Sequence, residues 1–193
     1  MKTAVIQMNS TGNKKRNVAR AAVFVKRAAK NRAKLILLPE VFHYRGKTDS
    51  KKAINAAAEK IPGPSLLPLM EIAKKHKVNI IAGSIFEKSK QGGKAYNTSV
   101  LINDKGSIKA VYRKIHLFDA VINKKILKES QSFIAGRKDV VARVSGHKVG
   151  LSVCYDLRFP RQYKRYAKMG AEILSAPSAF TRVTGQAQDR KST

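Results

Sequence analysis

The chain of 193 residues predicts an α/β protein with a mixed sheet or two sheets. Two observations carry this. Near the N-terminus an apolar segment is followed by a stretch with helical periodicity and then by a short leucine-rich run. Further on come paired β-prone segments separated by turn residues. Strands therefore alternate with helices at first and then pair as hairpins.

The elements follow in order. Thr3–Met8 is apolar and β-prone, a strand. In Lys14–Asn31 the residues Val18, Ala21, Ala22, Val25, Ala28 and Ala29 recur at helical spacing with basic residues between them, the pattern of an amphipathic helix. Leu35-Ile36-Leu37-Leu38, ended by Pro39, suits a strand buried on both faces. Lys51–Lys60 and Pro64–His76 read as helices, the second starting after Ile61-Pro62-Gly63-Pro64. Val78–Phe86 reads as a strand with Gly83 inside it. Ala95–Asn103 and Ser107–Arg113 are strands joined by Asp104-Lys105-Gly106. Val140–Val144 and Lys148–Val153 pair around Ser145-Gly146. Phe159–Met169 is a helix, and Glu172–Ala176 a last strand before Pro177. No repeat, low-complexity tract or linker divides the chain, so one domain is expected.

Composition narrows the classes. An apolar fraction of 43% with only 6 Pro and 12 Gly excludes a disordered or collagen-like chain. The sole cysteine, Cys154, excludes an intramolecular disulfide framework and a multi-cysteine zinc site. A free thiol fits a reducing compartment. No apolar run approaches the roughly 20 residues of a membrane span. The N-terminal apolar run is too short for a signal sequence. A cytoplasmic protein with no membrane partner is expected. The charge is unusual: 40 Lys+Arg against 12 Asp+Glu gives +28. Such a balance raises nucleic acid or an anionic membrane as partners. The cations are scattered, however, as Lys14-Lys15, Lys51-Lys52, Lys74-Lys75 and Lys124-Lys125. A binding tail would show a block of five or six. Nucleic acid is therefore not the favoured partner.

Three positions could carry chemistry. Glu40 directly follows the buried-strand segment and Pro39. Crevices open at strand ends in α/β sheets, and a half-desolvated carboxylate there is a candidate general base. It could equally be a loop acid paired with a lysine. Cys154 ends the apolar run Val149-Gly150-Leu151-Ser152-Val153 at a turn into a helix. That is the logic of a nucleophile elbow, although a small buried hydrophobe reads the same way. Lys114 ends the strand Ser107–Arg113 among aromatic and aliphatic neighbours. It is either a fixed positive charge or a snorkelling surface lysine. Neighbours on a strand face opposite ways, so Arg113 is expected on the other side. His116 is either a base paired with the cysteine or a structural histidine.

Taken together, Leu37-Leu38-Pro39-Glu40, Tyr112-Arg113-Lys114-Ile115-His116-Leu117 and Val153-Cys154-Tyr155-Asp156-Leu157-Arg158-Phe159-Pro160 resemble the carbon–nitrogen hydrolase family, the nitrilase superfamily. Gln7-Met8, Arg16-Asn17, Tyr96-Asn97-Thr98 and Ala176-Pro177-Ser178-Ala179-Phe180 fit the same family. The resemblance implies a Glu-Lys-Cys triad: Glu40 as general base, Lys114 as oxyanion stabiliser and Cys154 as nucleophile. Glu129 matches a second family glutamate that would orient Lys114 and the substrate amide. The backbone amide of Tyr155 would be a second oxyanion donor. Asp156 and Arg158 would form an ion pair bracing the loop. A cysteine is already about a few per cent thiolate at neutral pH, and a neighbouring base completes its activation.

The wording after the cysteine resembles the Nit-type ω-amidase and deaminated-glutathione-amidase branch. It implies hydrolysis of a small carboxylate-bearing amide, with release of ammonia through a Cys thioester and no cofactor or metal. It further implies a four-layer α-β-β-α sandwich assembled into homo-oligomers. The family domain normally continues past Pro177-Ser178-Ala179-Phe180 into a segment containing tryptophan, and this chain has no Trp. The expectation is a C-terminally truncated member, with the hydrolase domain over 1–185 and a polar tail over 186–193. A catalytically inactive remnant and a basic nucleic-acid-binding protein are the alternative readings.

Overall fold

Strand β1 (Thr3–Val5) lies parallel to β2 (Leu35–Leu37), and β2 lies parallel to β3 (Asn79–Ile81). The structure is a computed structural model that describes residues 1–46, 50–90, 93–122 and 125–180. The long strand β5 (Ala95–Ile102) continues this sheet antiparallel to β3, and β4 (Ile85–Lys88) and β6 (Ile108–Arg113) pair with it. The register Ile36↔Ile80 and Ile80↔Ile102 stacks three isoleucines on one face, each fully buried. Burying each such side chain stabilises the fold by roughly 1.5–3 kcal/mol.

That face is covered by two helices, α1 (Lys14–Lys30) and α3 (Leu67–His76). Helix α1 turns Ala21 and Val25 onto the sheet and its cations outward. Asn13 caps it by accepting from the Arg16 amide at 3.0 Å. The short α2 (Lys51–Ala57) packs Ile54 and Ala57 against Phe86 in a smaller core.

The opposite face of the sheet, with Leu35, Ile81, Leu101 and Tyr112, packs against a second sheet. This sheet contains β9 (Val140–Val144), β10 (His147–Leu151) and β11 (Ile173–Ser175), in the order β11-β10-β9. Ser145 and Gly146 both take positive φ, the geometry that a two-residue hairpin turn requires. Helix α4 (Pro160–Lys168) covers the far side, where the Tyr166 ring packs on Gly150 and its hydroxyl donates to the Leu151 carbonyl. Helix, sheet, sheet, helix makes the four layers that the resemblance implies.

The differences from the sequence reading are local. Val78–Phe86 is two strands, β3 and β4, rather than one. Gly83 breaks it at φ +39°, where a Cβ would stand 1.9 Å from the Pro39 carbonyl oxygen. The hairpin of β7 (Asp119–Ile122) and β8 (Lys125–Lys128) was not legible as strands. The segment 186–193 lies outside the described residues.

Candidate active site

Each candidate residue stands just beyond the C-terminal end of a strand. Glu40 follows β2 by three residues, Lys114 follows β6 directly, and Cys154 follows β10 by three. The two sheets face each other, so these ends converge.

Lys114 is 2% exposed, and its ammonium is the centre of the site. Its Nζ donates to Glu40 Oε1 at 3.1 Å and to Glu129 at 3.2 Å (Oε1) and 2.9 Å (Oε2). Burial alone would discharge the lysine. The charges of Glu40 and Glu129, with Cys154 nearby, outweigh burial and hold its pKa above the ordinary lysine value. Its backbone is fixed on both sides: the amide donates to the Asn97 carbonyl at 2.8 Å, and the carbonyl accepts from Gly136 at 2.7 Å. Gly136 is required here because a Cβ would lie 2.0 Å from the Arg113 carbonyl oxygen.

Glu40 is 7% exposed. Besides Lys114 it accepts from Asn97 Nδ2 at 3.0 Å and from the Ala179 amide at 3.1 Å. Glu129 opens a short 3₁₀ turn (Glu129–Gln131) after β8. It accepts from the Phe118 amide at 2.7 Å and from Asn97 Nδ2 at 3.3 Å.

Cys154 begins a 3₁₀ turn, Cys154–Arg158, at φ +48°. Its amide donates to the Pro177 carbonyl at 3.0 Å, which ties it to the chain beyond β11. The thiol sits within the electrostatic reach of Glu40 and Lys114. Burial first, and then the charge of Glu40, push the thiol up to about 12, against the opposing pull of Lys114 and the Ala179 amide. The resting thiol is therefore protonated near neutrality, which corrects the sequence-based picture of a standing thiolate fraction. Val41, next to Glu40, also takes a positive φ, +46°, with its amide on Ser84 Oγ at 2.9 Å. A non-glycine residue there costs of order 1–3 kcal/mol, and such strain clusters at functional sites.

The four predicted side chains Glu40, Lys114, Cys154 and Glu129 thus come together. The Tyr155 ring packs edge-on against Phe118 and Phe159, with centroids 4.9 and 5.5 Å apart, inside the turn where its amide was placed as a donor. His116 is held elsewhere. Its Nδ1 lies 2.8 Å from Asp156 Oδ1, and its ring stacks on Phe159 at 3.6 Å. Asp156 braces its loop inward, to Tyr112, His116 and Val153.

Asn97 was quoted in the sequence only for its likeness, yet it bridges both glutamates. The signal was a polar residue placed in the middle of a β-prone run. Its amide can donate without adding charge between two carboxylates. The Ala179 and Phe118 amides carry no side-chain signature, so sequence could not find them. Among the described residues no cluster of His, Cys, Asp and Glu could hold a metal ion, and no helix is long and apolar enough to cross a membrane.

A layered α-β-β-α sandwich with a buried Glu-Lys-Cys cluster at its strand ends defines a class of hydrolase fold. The sequence profile of the carbon–nitrogen hydrolases matches residues 2–191, and the chain belongs to that family. Within it several of the similar proteins are of the Nit type. The chain is 41% identical over 187 residues to nitrilase homolog 2 of Dictyostelium discoideum, covering 96% of this chain and 56% of that protein. It is 40% identical over 185 residues to the ω-amidase NIT2 of Danio rerio, covering 95% and 65%. Among solved structures, the C. elegans NitFhit protein superimposes with a TM-score of 0.88 at 32% identity, covering 99% of this chain and 48% of that one. Saccharomyces cerevisiae Nit3, a member of branch 10 of the nitrilase superfamily, gives 0.79 at 34% identity, covering 92% and 64%. The chain therefore spans about half to two thirds of the length of these relatives.

Proposed function

We propose that the protein hydrolyses the carbon–nitrogen bond of a small carboxylate-bearing amide, releasing ammonia through a thioester on Cys154. The observation that carries this reading is the buried Lys114 ammonium, held between Glu40 and Glu129, with the Cys154 thiol close enough to feel the charges of Glu40 and Lys114.

The thiol rests protonated, so Glu40 takes its proton as sulfur attacks the amide carbonyl. The S–C bond forms, and the carbonyl electron pair moves onto oxygen. Lys114 and the Tyr155 amide meet that oxyanion, an interaction typically worth about 3 kcal/mol in the barrier. As the oxyanion collapses the C–N bond breaks, and Glu40 returns its proton to the departing ammonia. A water then attacks the thioester. Glu40 accepts the water's proton and passes it to the leaving thiolate, restoring the start. Glu129 keeps Lys114 oriented throughout.

One feature of the chain favours an anionic substrate, its net charge of +28. The ω-amidase names of the Nit-type relatives point toward an ω-amide, and a 2-oxo acid ω-amide is the example to test. Homo-oligomers are part of the same proposal, to be read by sedimentation.

The test is ammonia release from such an amide by the wild type and by Cys154→Ala, with mass spectrometry of the peptide carrying Cys154. The expected result is release that disappears in the variant, with an acyl increment on that peptide during turnover. Undiminished release by Cys154→Ala overturns the reading. No release by a folded wild type favours the inactive remnant.

A further inference from the structure

Asp156 is a buried carboxylate that the proposed chemistry does not use. It is 0% exposed, two residues past Cys154, and it meets β6, the strand that ends just before Lys114. A carboxylate in such a place needs donors, and it has four. Oδ1 accepts from the His116 amide at 3.0 Å and faces His116 Nδ1 at 2.8 Å. Oδ2 accepts from the Tyr112 hydroxyl at 2.6 Å and from the Val153 amide at 2.8 Å.

The sequence positions of these donors matter. Tyr112 and His116 lie two residues either side of Lys114, and Val153 directly precedes Cys154. Each bond holds a neighbour of a reactive residue, and none of the four donors belongs to the triad. Tyr112 is itself pinned, since its hydroxyl accepts from Gln162 Nε2 at 2.9 Å and from the Ile115 amide at 3.3 Å. The bond to Val153 also closes the turn that keeps Cys154 at positive φ. One carboxylate thus spans two chain segments 44 residues apart.

We propose that Asp156 is a positioning residue that fixes the Cys154 sulfur relative to the Lys114 ammonium. The proposal rests on the triad reading above. Its test, however, needs no substrate. Cys154 is the only thiol, so alkylation reports on it alone. Iodoacetate and iodoacetamide are close in size, and only iodoacetate is charged. The ratio of their rates therefore measures the positive charge felt at sulfur, whereas a merely loosened site speeds both alike.

Asp156→Asn keeps the shape but places an NH₂ against donors, which breaks the hub. If Asp156 holds Lys114 near sulfur, the iodoacetate-to-iodoacetamide ratio falls, by about threefold or more. The kcat for the amide falls with it, and KM changes little. If Asp156 acts only through its own negative charge, removing it raises the ratio, and the proposal is overturned. An unchanged ratio in a folded variant overturns it too. Should Asp156→Asn fail to fold, Tyr112→Phe decides the matter, because it deletes one donor and leaves the charge. A lowered ratio supports the proposal and an unchanged one sinks it. A ratio that falls in a protein releasing no ammonia leaves the positioning role standing and removes the amidase reading.

Discussion

Gly83 presses against Pro39 so closely that a Cβ would meet the Pro39 carbonyl oxygen at 1.9 Å. Pro39 carries Glu40, so this contact sets where the proposed base stands. Gly83 also holds φ +39°, which an alanine adopts only with strain. Gly83→Ala is expected to displace Glu40 and lower turnover by about 10²-fold, because a shift of about 1 Å at a reacting group costs that much. Steady-state kinetics on protein of unchanged far-UV dichroism checks it. A fully active variant would show that the Pro39–Glu40 segment moves freely.

Asn97 donates one amide group to Glu40 at 3.0 Å and to Glu129 at 3.3 Å. Asn97→Asp replaces that donor with a third carboxylate beside the other two. Like charges so close favour protonation of one of the group. A drop in kcat of about 10²-fold is expected, the size of losing one preorganised donor. The loss should be smaller at low pH, where the added acid is neutral. A rate profile from pH 5 to 9 tests both parts.

Arg113 and Lys114 are neighbours with opposite roles. Lys114→Arg replaces a compact donor with a longer planar fork and should cut turnover by about 10²-fold or more. Arg113 faces outward as the strand alternation requires, but it is not idle. It grips Glu87 at 2.8 and 2.5 Å and stacks over the Tyr96 ring at 4.1 Å. Arg113→Lys keeps the charge and loses the fork and the stacking. The expected cost is about 1 kcal/mol of stability, seen in urea unfolding, with turnover nearly intact. Equal effects of the two substitutions on turnover would make Lys114 an ordinary lysine.

The thiol of Cys154 is raised to about 12 by burial and by Glu40. Its reaction with iodoacetamide should therefore keep rising about tenfold per pH unit through pH 10, since the rate follows the thiolate fraction. A plateau below pH 9 would contradict the raised value. The same shift has a sign for stability. The folded state keeps the proton to higher pH than the unfolded chain, so this contribution is complete below pH 9 and is lost as pH rises from 9 to 12. The stability advantage of wild type over Cys154→Ser should shrink across that window in thermal melts.

The sequence by itself determined most of the succession of strands and helices, without the β3–β4 break and the β7–β8 hairpin, and the residue types at the strand ends. Periodicity in Val18, Ala21, Ala22 and Val25 placed α1, and the run Leu35-Ile36-Leu37-Leu38 placed β2, because apolar spacing is written locally along the chain. Glu40, Lys114 and Cys154 were legible because each ends a recognisable strand segment, whereas Glu129 was found only through the family resemblance. Tertiary structure alone decided what these groups meet. The Ala179 amide reaches Glu40 across 139 residues, and Asn97 joins two glutamates 89 residues apart, 57 and 32 residues from itself. Packing also decided that the thiol rests protonated and that Asp156 faces Tyr112 and His116. These outcomes depend on burial and on the distance between groups far apart in sequence. Both are set when the two sheets pack face to face, and neither is encoded in any one segment.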